Sequence, residues 1–106
     1  MRMPDVAWMS DERWGDRELD QEGLLNASPE LIIEVVSATD SFRQQQEKMD
    51  EWMRHGALLG WLIDPFRATV HIYRPDSAPE LLQRPDTLTG EDVCAGLEVS
   101  LERIWK

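Results

Sequence analysis

One glutamate stands inside an apolar run, Glu30-Leu31-Ile32-Ile33-Glu34-Val35-Val36-Ser37. Strand alternation puts Glu34 on the same face as Ile32 and Val36. A carboxylate removed from water there must be paired, protonated or bound to a metal. Asp5 lies in a second short run, Pro4-Asp5-Val6-Ala7-Trp8-Met9. Two carboxylates on neighbouring strands can converge on one divalent cation, which prefers oxygen ligands. Lys48 sits one residue before Met49 in a helical pattern, at the shoulder of an apolar face, from which a long side chain can drape over the core. Each residue also has a plainer account. Glu34 can form a salt bridge to an arginine or to Lys48, Asp5 can serve a strand start or turn, and Lys48 can pair along its helix with Glu51 or Gln44.

The remaining candidates are weaker. Asp40 reads as a helix cap, and Asp64, before Pro65, reads as the end of a strand that orders a turn, with a site-lining role open to it. His55 falls near a helix C-terminus, where a cation is favourable, and His71 is expected to face outward on a strand. Neither histidine has a partner at metal-ligand spacing. Cys94, the single cysteine, reads as a small apolar residue at a core edge. The chain has no phosphate-binding glycine loop, no GxSxG and no CxxC.

These residues need elements to hold them. Pro4 to Met9 reads as a short strand opened by a proline, where a missing N–H is tolerated. Ser10 to Pro29 is polar and acidic, and reads as a solvated loop with one helical turn at most. The β-branched run 30–37 suits a strand buried on both faces. A helix follows over 41–55, with Asp40 or Ser41 as N-cap. Phe42 and Met49 are seven apart, and Trp52 and Met53 follow three and four later, all on one face. Gly56 is placed to end the helix in the left-handed conformation. Residues 58–64 and 69–74 read as a hairpin around Pro65-Phe66-Arg67-Ala68. Leu81-Leu82 reads as an edge strand, Thr89 to Asp92 as loop, and Leu101 to Trp105 as a short helix or docked tail. The order is that of an α/β domain. If strands 30–37 and 58–64 are adjacent and parallel, they form a βαβ unit.

The 106 residues suit one domain over the whole chain. One cysteine precludes an intrachain disulfide and points to a reducing, cytoplasmic setting. The N-terminus has no apolar signal-like stretch, and no window resembles a membrane span. The net charge is −10, from 21 acidic and 11 basic residues. That argues against broad, non-specific attraction to nucleic acid; action on DNA would run through a local basic patch or a basic partner.

Five segments in this order carry a resemblance. They are Pro4-Asp5-Val6-Ala7; Pro29 to Asp40; Glu47-Lys48-Met49 with Gly56; Gly60-Trp61-Leu62-Ile63-Asp64-Pro65; and Val70-His71-Ile72-Tyr73-Arg74-Pro75. Leu88-Thr89-Gly90-Glu91-Asp92-Val93, continuing through Gly96-Leu97 to Ile104-Trp105, extends it over essentially the whole chain. Together they resemble the Uma-two family, a bacterial group classed as restriction endonucleases within the PD-(D/E)XK nuclease superfamily. The resemblance implies a restriction-endonuclease-like mixed sheet with flanking helices. It implies that Asp5 matches the aspartate of the PD element and Glu34 the acid of the (D/E)XK element. Asp5 and Glu34 would hold Mg²⁺ or Mn²⁺ with the Val35 carbonyl, and Lys48 would orient the attacking water and offset negative charge. The superfamily's lysine usually stands two residues after the acid, which here is Val36, so Lys48 would come from the helix instead. Trp52 stands where tyrosine is common, and Ala38 and Ala95 stand where proline is common. Family members usually carry a helix and strands ahead of the PD element, so the resemblance implies an N-terminally truncated version.

Two functional readings follow. The first is a metal-dependent endonuclease that hydrolyses phosphodiester bonds in DNA through Asp5, Glu34 and Lys48. The second is a non-catalytic module or truncated remnant of the same fold, forming a homodimer through an open sheet edge.

Overall fold

The apolar run around Glu34 forms strand β2 (Leu31–Val35), and the second apolar run forms strand β3 (Leu59–Asp64) beside it. They pair in parallel, with Glu34 opposite Leu62 and Val35 opposite Ile63. The computed structural model describes residues 5–15 and 29–105. Ahead of β2 come strand β1 (Val6–Trp8) and the single helical turn α1 (Asp11–Gly15). The polar loop reading for the rest of Ser10 to Pro29 lies mostly outside the described residues.

Helix α2 (Phe42–Arg54) links β2 to β3 and makes the expected βαβ unit. Of the two caps considered, Ser41 takes the role, accepting a hydrogen bond from the Gln44 N–H at 3.3 Å. Asp40 instead closes the preceding turn, accepting from the Ser37 N–H and hydroxyl at 3.2 and 2.8 Å. Gly56, at φ +104°, leads the chain out of the helix. Phe42, Met49, Trp52 and Met53 face the sheet, packing with Ile32, Val36, Leu62 and Tyr73. Gly60 permits a close approach, since a Cβ there would lie 2.7 Å from the Met49 sulfur.

Strand β4 (Thr69–Tyr73) completes the predicted hairpin with β3, and strand β5 (Glu80–Gln83) adds the predicted edge. The sheet order is β1-β2-β3-β4-β5, mixed, with β2 and β3 the only parallel pair in it. All six residues of β3 are buried, which explains why its sequence shows no alternation.

The opposite face of the sheet is covered by the C-terminal segment. Strands β6 (Thr87–Thr89) and β7 (Glu98–Ser100) pair with each other as a separate antiparallel ribbon. Leu88 and Leu101 join Leu31, Trp61, Ile63, Val70 and Ile72 in that core, with Leu97, Val99, Ile104 and Trp105 packed against it. The sequence reading of a loop from Thr89 omits this ribbon, because two three-residue strands with mostly polar neighbours carry almost no periodic signal. The tail does dock, with the Trp105 indole N–H donating to the Pro85 carbonyl at 2.8 Å.

His71 does not face outward. It stands opposite Leu62 on the helix side of the sheet, and its ring packs on Phe42 with centroids 5.2 Å apart. Strand alternation sets that face, and an α2 that begins at Phe42 covers it. Burial lowers the His71 pKa below the usual 6.5, with Asp64 opposing that shift and Arg67 adding to it. The unfolded chain therefore takes up a proton that the folded chain resists. The contribution of His71 to stability is fully present above pH 6.5, falls as pH drops below it, and levels off beneath the folded value. Urea midpoints measured from neutral to mildly acid pH should fall less steeply for His71→Phe than for wild type.

Candidate functional site

Glu34 is fully buried at 0% exposure, next to the C-terminal end of β2 and on the face that meets α2. The cost of that burial is met partly by Lys48, whose Nζ lies 3.2 Å from Glu34 Oε2. Lys48 lies on the second turn of α2, and its own side chain is mostly buried. The structure thus brings together two residues fourteen apart in sequence, and chooses Glu34 over Glu51 or Gln44 as the lysine's partner.

The pair is not balanced. Burial pushes the Glu34 pKa up; the hydrogen bond and charge of Lys48 pull against it, and the charge of Asp5 pushes the same way as burial. Glu34 Oε1 is buried with no hydrogen-bond partner among the described residues. The indole N–H of Trp52 is likewise buried and unpartnered. It lies close enough to favour the charged form of Glu34, although the geometry falls short of a hydrogen bond.

Asp5 immediately precedes β1, which runs antiparallel to β2 with Val6 opposite Ile33. That register sets Asp5 opposite Glu34. Its Oδ2 accepts a hydrogen bond from the Val35 N–H at 2.7 Å. Asp5 is exposed, so the two carboxylates differ sharply in solvation while sharing one end of the sheet. Val35 follows Glu34 with its side chain on the opposite face, partly open to solvent.

The other candidates sit elsewhere or do other work. Asp64 is buried, and its Oδ1 accepts from the N–H groups of Phe66 and Arg67 at 3.0 and 3.1 Å. It orders the β3–β4 turn, as expected. His55 occupies the C-cap of α2. Cys94 is a free, half-buried thiol in the turn between β6 and β7. The residue that sequence reasoning left out of the site is Trp52. The available signal was its position one helical turn after Lys48, which brings it to the same stripe of α2.

Among the described residues, no three His, Cys, Asp or Glu side chains gather as a group that could hold a metal. Two carboxylates and a backbone carbonyl are a sparser donor set. Such a set suits Mg²⁺, which commonly takes one or two carboxylates and completes its shell with water and substrate phosphate. The unpartnered Oε1 of Glu34 fits such a role. No helix among the described residues is long and apolar enough to cross a membrane.

Residues 1–102 match the family Uma2, whose description is "Putative restriction endonuclease". Among solved structures, the chain is similar to a "putative nuclease belonging to DUF820" from Anabaena variabilis ATCC 29413. The two are 25% identical with a TM-score of 0.76, and the match covers 98% of this chain and 59% of that one. This chain therefore spans less than two thirds of the length of that nuclease. No curated protein matches.

Proposed function

The chain belongs to the Uma2 family of restriction-endonuclease-like proteins, and on that premise we propose that it is a metal-dependent endonuclease hydrolysing phosphodiester bonds in DNA. The observation that carries the proposal is the buried Glu34, paired on one oxygen with Lys48 and unpartnered on the other, beside Asp5. Asp5, Glu34 and the Val35 carbonyl would hold Mg²⁺ or Mn²⁺. A divalent cation there supplies Lewis-acid activation of a water and neutralises charge on the scissile phosphate.

The chain's own groups then have distinct tasks. Lys48 Nζ, fixed by Glu34 Oε2 at 3.2 Å, orients the attacking water and offsets the negative charge that builds on the phosphate oxygens. Asp5 stands at the mouth of the site and joins β1 to β2 through the Val35 N–H. Trp52 and the α2 core exclude water behind Glu34.

The test is thermal unfolding with and without millimolar Mg²⁺ or Mn²⁺. A ligand that binds only the folded state adds about 2.7 kcal/mol of stability at a hundredfold excess over Kd. Wild type should gain, and Glu34→Ala should not. If metal moves neither protein, Glu34 is a structural acid. The reading would then pass to a non-catalytic module that pairs through β1, whose Val6 and Trp8 are 53% and 36% exposed at the sheet edge.

A further inference from the structure

The parallel pairing of β2 and β3 brings their carboxyl ends to one edge of the molecule. In open α/β sheets that end is the usual ligand side. Past Glu34, β2 runs into the Ser37–Asp40 turn and the start of α2. Past Leu62, its neighbour, β3 runs into the turn Pro65-Phe66-Arg67-Ala68. The β3–β4 turn meets the start of α2, where the Arg67 guanidinium lies 4.9 Å from the centre of the Phe42 ring. Asp64, the last residue of β3, lies roughly 7 Å beyond the level of Glu34 by strand rise, and the turn carries Phe66 past it.

Phe66 is unusual in this setting. At 65% it is the most exposed of the large apolar side chains in the described residues. Yet its backbone is tightly held. The buried Asp64 carboxylate accepts from the N–H groups of both Phe66 and Arg67, and Ala68 adopts a left-handed φ of 55° to close the turn. The fold thus presents an aromatic face on a stiff support rather than on a loose tip.

The charges nearby limit what else can hold a substrate. Among the described residues, Arg43, Lys48 and Arg67 are cations at this end, and each has a partner in Glu47, Glu34 or Asp64. With a chain charge of −10, phosphate neutralisation alone gives weak attachment, least of all to both strands of a duplex. Stacking on an aromatic adds affinity that does not depend on charge, and only an unpaired base offers its face.

We infer, on the nuclease reading above, that Phe66 is a base-stacking residue and that the DNA entering the Glu34–Lys48 site is single-stranded there. The experiment measures fluorescence anisotropy of labelled oligothymidylate about twelve nucleotides long, within the usual single-strand site size. It is run in Ca²⁺, which takes the same oxygen ligands as Mg²⁺ at longer distances. An abasic strand and a duplex of equal length serve as comparisons. Wild type should bind the oligothymidylate more tightly than either. Phe66→Ala should weaken that binding roughly fivefold to a hundredfold and leave abasic binding unchanged, and Phe66→Trp should restore it. The exposure of Phe66 makes both variants compatible with the fold, and thermal unfolding verifies this. Equal binding by wild type and Phe66→Ala, or a duplex bound as tightly as the single strand, overturns the inference and leaves the nuclease reading standing. A wild type that binds none of the three overturns both.

Discussion

On the proposed endonuclease function, Glu34→Gln should lower metal-supported cleavage of DNA by at least about a hundredfold, because losing even a residue that supports a metal ligand costs 10- to 100-fold. The substitution keeps the shape of the side chain and its capacity to accept from Lys48, so the fold should survive. Without metal the variant should be less stable than wild type, because it leaves the mostly buried Lys48 ammonium without its carboxylate partner. Lys48→Met should cut cleavage by roughly a hundredfold to a thousandfold, as when a donor to developing charge is lost. Cleavage by purified Glu34→Gln at the wild-type rate would remove Glu34 from the reaction.

The second large effect lies on the other face of the sheet. Trp61 is 1% exposed and sits among Leu31, Ile63, Val70, Ile72, Leu88 and Leu101. Trp61→Ala should cost about 3–5 kcal/mol through lost transfer energy and a residual cavity. Against a typical total of about 5–15 kcal/mol, that is enough to unfold a fraction of the chain at ambient temperature. Trp61→Phe should cost much less, because the indole N–H is buried with no hydrogen-bond partner among the described residues and gives up no bond to them when removed. Urea denaturation of the two variants measures the difference. Equal losses for the two variants would overturn this expectation.

The sheet and its helix were legible in the sequence for identifiable reasons. The run at 31–35 is rich in β-branched residues and that at 59–64 is mostly apolar, and the stripe of Phe42, Met49, Trp52 and Met53 has helical period. Glu34 stood out because one charge interrupted such a run. What lay beyond reach depended on non-local packing. His71 alternates correctly, but which face is wet depends on where α2 lands. The β6–β7 ribbon has too few residues per strand to show a period. The side of Glu34 that Lys48 reaches, and the approach of Trp52, follow from the helix's rotation over the sheet, which spacing alone does not set.

The two halves of the core also differ in when they are completed. The helix side closes between residues 32 and 73, all contiguous along the chain. The other side waits for Leu88, Leu101 and their neighbours. A ribosome emitting this chain therefore releases a strand set with one finished face and one greasy, uncovered face. Until the β6–β7 ribbon arrives, Trp61, Ile63, Val70 and Ile72 are open to chaperones or to other nascent chains. The late ribbon acts as a latch on synthesis, and lesions in it would surface as poor yield before they surfaced as altered chemistry.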